Sequence, residues 1–412
     1  MQDTSTHSPT ERIYAIDWLR VLAFGVLIVY HTAEVFTTWK WWIKNNETSS
    51  VLSYVMMFFH EWRMLLLFLI SGAATHLALG KRSIEKLVSD RIVRILLPLI
   101  AGMLFVIPPQ IFFIQLHKGK NVDFLNFYIQ LFEFNWFPSG NFHWLHLWYL
   151  AFLFAFTLMI LPVIRIVQSE KGKLLINRAA NMISNPYCLF LLVFLMEAPL
   201  YFSRFFSFNE NLQQLVYYFP YYVFGALFLT SRSIRNAFVR YRMRGLIFAT
   251  LTALILYPCF WITDSTGQVL FGLPLTGSAN LIAENLLTSF NRWFWLITII
   301  GYGLRYLNEG SDFLTYANKA IAPFYILHQT VIIILAYYTV DLSYSISIKF
   351  LMIISTTVIS ILVFYHVLLS RTKFTQLLFG IKDGQPKKRL KYEDQISENF
   401  EAGSLQKHLE IN

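Results

Sequence analysis

A chain of 412 residues that is 56% hydrophobic and only 14% charged lies outside the range of soluble domains, in which about a quarter of residues carry charge. With 39 phenylalanines and long apolar runs, it reads as a polytopic membrane protein. The formal charge of +10 then speaks to membrane topology and not to nucleic-acid binding, and the chain has neither a Gly-rich nucleotide loop nor a Gly-x-Ser-x-Gly elbow.

About ten apolar segments approach the roughly twenty residues that a spanning helix needs, which predicts an all-α integral membrane fold. In chain order they cover 18–38, 52–79, 92–116, 146–167, 187–206, 212–230, 245–263, 281–304, 320–340 and 347–369. The eighth is interrupted at its start by Glu284, Asn285, Asn291 and Arg292. The first is preceded by polar residues and lacks a small-residue cleavage site, so it is expected to stay as a helix. Cys188 and Cys259 fall near opposite membrane faces, which predicts neither a disulfide nor a metal site. No internal repeat is evident. The expected organisation is a polar N-terminal tail (1–11), one membrane domain (12–370) and a cytoplasmic C-terminal tail (371–412).

Basic residues set the orientation, because cytoplasmic loops are rich in Lys and Arg. Arg12 and Arg20, the stretch "KRSIEKLVSDRIVR" (81–94), the loop around Lys171 and Arg178, and "RSIRNAFVRYRMR" (232–244) all fall on one side. Both termini are therefore expected in the cytoplasm. The longest loop on the other side, 117–145, contains "FEFNWFPSGNFHWLH" and suits contact with a sugar or the lipid interface.

The first helix is unusual for its polar stripe. Arg20 and His31 are eleven residues apart, about 16 Å of rise and three turns plus about 20°, so they share a face. With Arg20 at the membrane boundary, His31 lies near the midplane of a core about 30 Å thick. Asp17 and Glu34 fall close to the same stripe. Ionisable groups at that depth face a protein interior or a water-filled cavity. A histidine with a carboxylate one turn away suits proton transfer, although a structural hydrogen bond between helices would use the same residues.

These residues carry a resemblance. "RIYAIDWLRVLAFGVLIVYH" (12–31) resembles the first helix of the membrane-bound acyltransferase-3 family, in which an Arg, ten residues and a His recur, matched by Arg20 and His31. "FFHEWRMLLLFLISG" (58–72) resembles the branch that contains a periplasmic glucan succinyltransferase, through His60, Arg63, Met64 and the run to Gly72. "RIVRILLP" (91–98), "HLWYL" (146–150) and "NKAIAPFYILHQTVI" (318–332) follow in family order. Many members carry a fused extracytoplasmic hydrolase-like domain. This chain is expected to lack one, leaving all the chemistry to the membrane domain. Its basic pair, Arg91 and Arg94, is spaced by two residues where some members have one.

The resemblance implies an O-acyltransferase in the cell (inner) membrane that moves an acyl group, acetyl or succinyl, from cytoplasmic acyl-coenzyme A to a hydroxyl of an extracytoplasmic glycan or glycolipid. Acyl-coenzyme A is a co-substrate, no cofactor is expected to be bound permanently, no metal is expected, and the bilayer is the remaining partner. Arg20, Arg91 and Arg94 are expected to hold the donor, because guanidinium forks suit its phosphates. His31 acts as general base or as transient acyl carrier, with Glu34 orienting it. His60, Arg63 and His146 are acceptor-side candidates. Arg63 would meet an anionic or hydroxyl-bearing acceptor or a carboxylated acyl chain, unless it forms a salt bridge. Tyr325, His328 and Asp17 are supporting candidates. Trp148 and Tyr149 are expected in the aromatic belt, and His143 and His117 in solvated loops. A proton-coupled transporter or flippase and a glycan sensor without turnover are the rival classes. The missing repeat and the motif series weigh against the first.

Overall fold

The computed structural model describes residues 12–79, 83–266 and 278–381, without the side chains of 259–266 and 278–282. The chain is all-α, and its described residues form no strand. Helix α1 is Tyr14–Glu34, α2 Ser50–Leu79, α3 Ile84–His117, α4 Leu145–Val167, α5 Glu170–Ile183 and α6 Pro186–Phe205. After these come α7 Glu210–Phe224, α8 Arg232–Thr266, α9 Ser278–Tyr306, α10 Asp312–Thr339 and α11 Ile346–Leu369. Among the described residues seven of these, α1, α2, α3, α4, α6, α10 and α11, are long and apolar enough to cross a membrane. The protein is therefore a multi-pass membrane protein. The other three expected segments fall on α7, α8 and α9, so every apolar stretch read from the sequence is helical.

Local signals explain the boundaries. Ser83, Ser169, Asn185, Asn209 and Ser311 each accept a hydrogen bond from a backbone N–H of the helix they precede, satisfying donors that would otherwise be orphaned. Helix α3 contains two π-turns, Ile92–Leu96 and Gly102–Val106, directly before the stretches that hold Pro98 and Pro108. Proline has no N–H for the carbonyl four residues back, and a wider turn absorbs the mismatch. Helix α5 falls outside the expected spans. Ser169 caps it, and it packs beside α4 as a short surface helix.

Helix α2 lies at the centre, against α1, α7 and α9. Its contact with α7 depends on two glycines. A Cβ on Gly72 would sit 1.9 Å from the Tyr222 carbonyl oxygen, and one on Gly225 would sit 1.8 Å from that of Leu69. Small residues of this kind let membrane helices approach to backbone contact.

Two features position the site. Residues 35–49 fold back over the end of α1: Asn45 N–H donates to Val35 O at 3.0 Å and Ser49 N–H to Phe36 O at 2.8 Å. The buried Lys349 of α11 ties this loop down, donating to Asn45 Oδ1 at 2.8 Å and to Val340 O at 2.6 Å. At the other face, the start of the expected C-terminal tail is ordered. Lys373–Leu378 form a short helix against α3, and Gly380, at φ 64°, lies beside the Arg94 carbonyl. The remainder of that tail, 382–412, and the N-terminal tail, 1–11, lie outside the described residues.

Candidate active site

Two cavities approach each other inside the membrane domain. The first, about 860 Å³, opens on the face where α1 begins, and Arg12, Arg20, Arg91, Arg94 and Lys319 line it. We call this the basic face. Arg20 is held between Asp17 Oδ1, at 3.0 Å, and Asn318 Oδ1. Arg91 donates to Thr75 Oγ1 at 2.8 Å. The Nε atoms of Arg20 and Arg91 are buried and have no partner. Five cations line one cavity, and unspent guanidinium donors remain among them. Such a wall fits a polyanionic ligand.

The second cavity, about 260 Å³, lies toward the other end of α1, among His31, Trp41, Trp42, Arg63, His143 and His146. We call this the aromatic face. Tyr149 and Tyr325 line both cavities and form the partition between them, with rings 5.6 Å apart. Tyr149 Oη is 2.7 Å from Ser71 Oγ, and Tyr325 Oη donates to His146 O at 2.5 Å. Tyr149 is thus a buried wall residue and not the interfacial belt residue expected from sequence. Its neighbour Trp148 also lines the aromatic-face cavity.

His31 sits at this junction. Its Nδ1 is 2.6 Å from Glu34 Oε2. A carboxylate there fixes the tautomer with the proton on Nδ1 and leaves the Nε2 lone pair for the cavity. Trp41, from the strapped loop, stacks on the imidazole at 5.4 Å and 20°. His328 packs 5.3 Å from His31 and 5.2 Å from His146, ring to ring. His328 Nδ1 donates to Tyr325 O at 2.6 Å and His146 Nε2 to Ile326 O at 2.9 Å. The other ring nitrogen of each is buried without a partner. Two basic lone pairs therefore stand unsatisfied beside His31, a setting suited to a hydroxyl donor. Among the described residues no group of three or more His, Cys, Asp or Glu is arranged to hold a metal ion.

Arg63 enters the same cavity from α2. Its guanidinium lies 3.3 Å from the centroid of the Tyr30 ring, and the residue is only 7% exposed. Its Nε and Nη1 have no hydrogen-bond partner. Glu34 pairs with His31, so the salt bridge considered for Arg63 does not take it up. His60 lies off the cavity wall and accepts or donates at Nδ1 with Tyr30 Oη, 2.8 Å away. The Tyr30 ring stands between it and the Arg63 guanidinium.

His143 differs from its expected place in a solvated loop. It is half-buried on the cavity wall, and its Nδ1 accepts from Leu145 N–H at 2.7 Å. Burial pushes its pKa down to about 4. His117 is exposed at the end of α3, as expected for it. Cys188 is a free thiol at the start of α6, and the Cys259 side chain lies outside the described residues. Trp41 and Trp42 join the cavity wall without having been singled out in sequence, while Tyr149, Asn318 and Gln329 lie within the quoted stretches 146–150 and 318–332 but were given no role at either site. For Trp41 and Trp42 the run "WKWW" (39–42) is the signal available in sequence.

A family model described as an acyltransferase domain, that of the acyltransferase-3 family, matches residues 13–365, which include every lining residue of the aromatic-face cavity and all of the basic-face cavity but Arg12 and Gly380. The chain belongs to this family. It is an acyltransferase of groups other than aminoacyl groups. It is 22% identical over 335 residues to glucans biosynthesis protein C of Shigella boydii serotype 4, covering 78% of this chain and 82% of that one. It is 21% identical over the same length and shares to the proteins of that name from Shigella dysenteriae serotype 1 and Escherichia coli K12. No solved structure matches. In this acyltransferase the motif pair Arg20 and His31 falls on opposite sides of the tyrosine partition, one in each cavity.

Proposed function

We propose that the acyltransferase takes an acyl group, acetyl or succinyl, from acyl-coenzyme A at its basic face and delivers it to a hydroxyl of a glycan at its aromatic face. The basic face is then cytoplasmic, with both termini on that side of the inner membrane, and the acceptor is extracytoplasmic. The name of the relatives, glucans biosynthesis protein C, supports a glucan-type acceptor. The observation that supports the reading best is the setting of His31: one ring nitrogen on a carboxylate, the other free at the junction of a cation-lined cavity and an aromatic one.

The donor's phosphates lie among Arg20, Arg91, Arg94 and Lys319, and its thioester reaches up to the Tyr149–Tyr325 partition. The sugar sits against Trp41, Trp42 and Trp148. His31 Nε2 takes the proton of the acceptor hydroxyl as its oxygen attacks the thioester carbonyl carbon. The new C–O bond forms, the C–S bond breaks, and the proton passes from imidazolium to the leaving thiolate. Glu34 stabilises the imidazolium in between. Arg63 has an empty guanidinium edge and holds a carboxylate brought by the substrate, which favours succinyl over acetyl. One observation favours a second reading: the Tyr149–Tyr325 partition stands between the two cavities. In that case His31 carries the acyl group itself between two half-reactions.

Purified protein in detergent or nanodiscs, given labelled acetyl- or succinyl-coenzyme A and a glucan oligosaccharide, tests both. Label in the glycan with free thiol released in equal amount supports transfer. Label retained on protein in the absence of glycan supports the carrier. Thioester left intact in all mixtures would reject the function.

A further inference from the structure

Arg292 lies in α9, in a segment expected to cross the membrane, and lines neither cavity. From sequence it was an interruption of an apolar segment. In the structure its Nε donates to Glu61 Oε2 at 2.5 Å, and its Nη1 is 3.2 Å from Tyr217 Oη and 3.6 Å from Glu197 Oε2. Glu197 also accepts from Tyr217 at 3.1 Å, from Ser289 at 3.2 Å and from Tyr221. Four helices, α2, α6, α7 and α9, thus meet at one buried ionic cluster.

The two carboxylates are not equally dependent on Arg292. Glu197 keeps three hydroxyl donors without it. Among the described residues Glu61 receives a hydrogen bond from Arg292 alone. Glu61 is 8% exposed, and a buried carboxylate without its cation is strongly unfavourable. The pair therefore fixes where Glu61 points, and with it the rotation of α2 about its own axis.

That rotation bears on the site. Two residues along a helix turn through about 200°, so Glu61 and Arg63 project from nearly opposite sides of α2. Glu61 is anchored in the cluster while Arg63 stacks on Tyr30 and lines the aromatic-face cavity. A roll of about 20°, at a radius of about 6 Å, would shift a side chain by about 2 Å. A shift of that size ends a stacking contact of 3.3 Å.

We propose that Arg292 is a positioning residue: through Glu61 it sets the roll of α2 and so presents Arg63 to the substrate in the aromatic-face cavity. The inference rests on the proposed role of Arg63 in that cavity. Arg292 itself touches no substrate.

A double-mutant cycle separates positioning from simple support of the fold. Succinyl-coenzyme A and a glucan oligosaccharide serve as probes, with kcat and KM read for Arg292→Gln, Arg63→Ala and the double variant, alongside thermal stability. Arg292→Gln should lower kcat/KM about ten-fold in the native background, mainly through KM for the donor, and less than two-fold in the Arg63→Ala background. Equal losses in both backgrounds would overturn the positioning role while leaving the role of Arg63 intact. Arg63→Ala that keeps full activity would remove the reading on which the proposal rests, and the proposal with it. Should Arg292→Gln fail to insert, Glu61→Gln replaces it in the same cycle. It keeps the side-chain shape, leaves Arg292 beside Glu197, and should show the same dependence on Arg63.

Discussion

His31 Nδ1 and Glu34 Oε2 are 2.6 Å apart across one turn of α1, with no other element between them. The first helix thus supplies both the proposed base and the carboxylate proposed to orient it. Glu34→Gln keeps the shape but can present its amide N–H to the ring, which favours the wrong tautomer. Turnover should fall by about a hundred-fold, within the range ascribed to positioned acid–base groups. Donor affinity should stay unchanged, as measured by calorimetry with acyl-coenzyme A. A fall in affinity matching the fall in rate would place Glu34 in the donor site instead.

On the basic face, Arg20→Ala and Arg94→Ala should each weaken acyl-coenzyme A binding by roughly ten-fold, the scale of one charge-assisted hydrogen bond. The loss should be largest at low ionic strength, where screening is least. Wild-type affinity in these variants would reduce the arginines to determinants of topology.

Arg63 separates two further outcomes. Arg63→Ala should spoil transfer of a succinyl group more than that of an acetyl group, because only the former brings a carboxylate to the unpartnered Nε and Nη1. Arg63→Lys keeps the charge and loses the planar fork, so it should restore only part of the difference. Identical effects on the two donors, compared by initial rates, would move the anion to the acceptor.

Much of this site was legible in α1 and α2, where charge is rare enough in apolar sequence to stand out. The eleven-residue interval placed Arg20 and His31 on one stripe, and the structure puts them one in each cavity, on opposite sides of the tyrosine partition. What sequence could not give was partnership. Tyr149 looked like any interfacial aromatic, and only packing against Tyr325 and Ser71 makes it a partition. Arg292 looked like a flaw in a weak helix, because its partners Glu61 and Glu197 are far away in the chain. Residues 35–49 gave no periodic signal, so the loop that brings Trp41 onto His31 was invisible until Lys349 was seen to strap it.

The loop that borders the aromatic-face cavity should respond to acid through His143. Its pKa is pushed down to about 4 by burial, against about 6.5 when unfolded, and its Nδ1 accepts from Leu145 N–H in the neutral form. Between these values the opened loop binds more protons than the closed one, so the closed form loses stability as pH falls from about 6.5 toward 4. Protection factors of residues 131–147, that is exchange rates taken relative to the intrinsic rate at each pH, should fall over that window, and His143→Gln should flatten the response. Protection factors independent of pH across the window would exclude His143 as their cause.

Proton transfer by His31, where the two cavities meet, is the step on which the proposed function turns. It is tested most directly by comparing wild type and His31→Gln, reconstituted at equal amounts, for transfer of labelled succinyl from succinyl-coenzyme A to a glucan oligosaccharide while donor binding is measured in parallel. Loss of the base should leave donor affinity unchanged and lower the rate by a factor of about 10² to 10⁴. A variant that binds donor normally and transfers at the wild-type rate would contradict it.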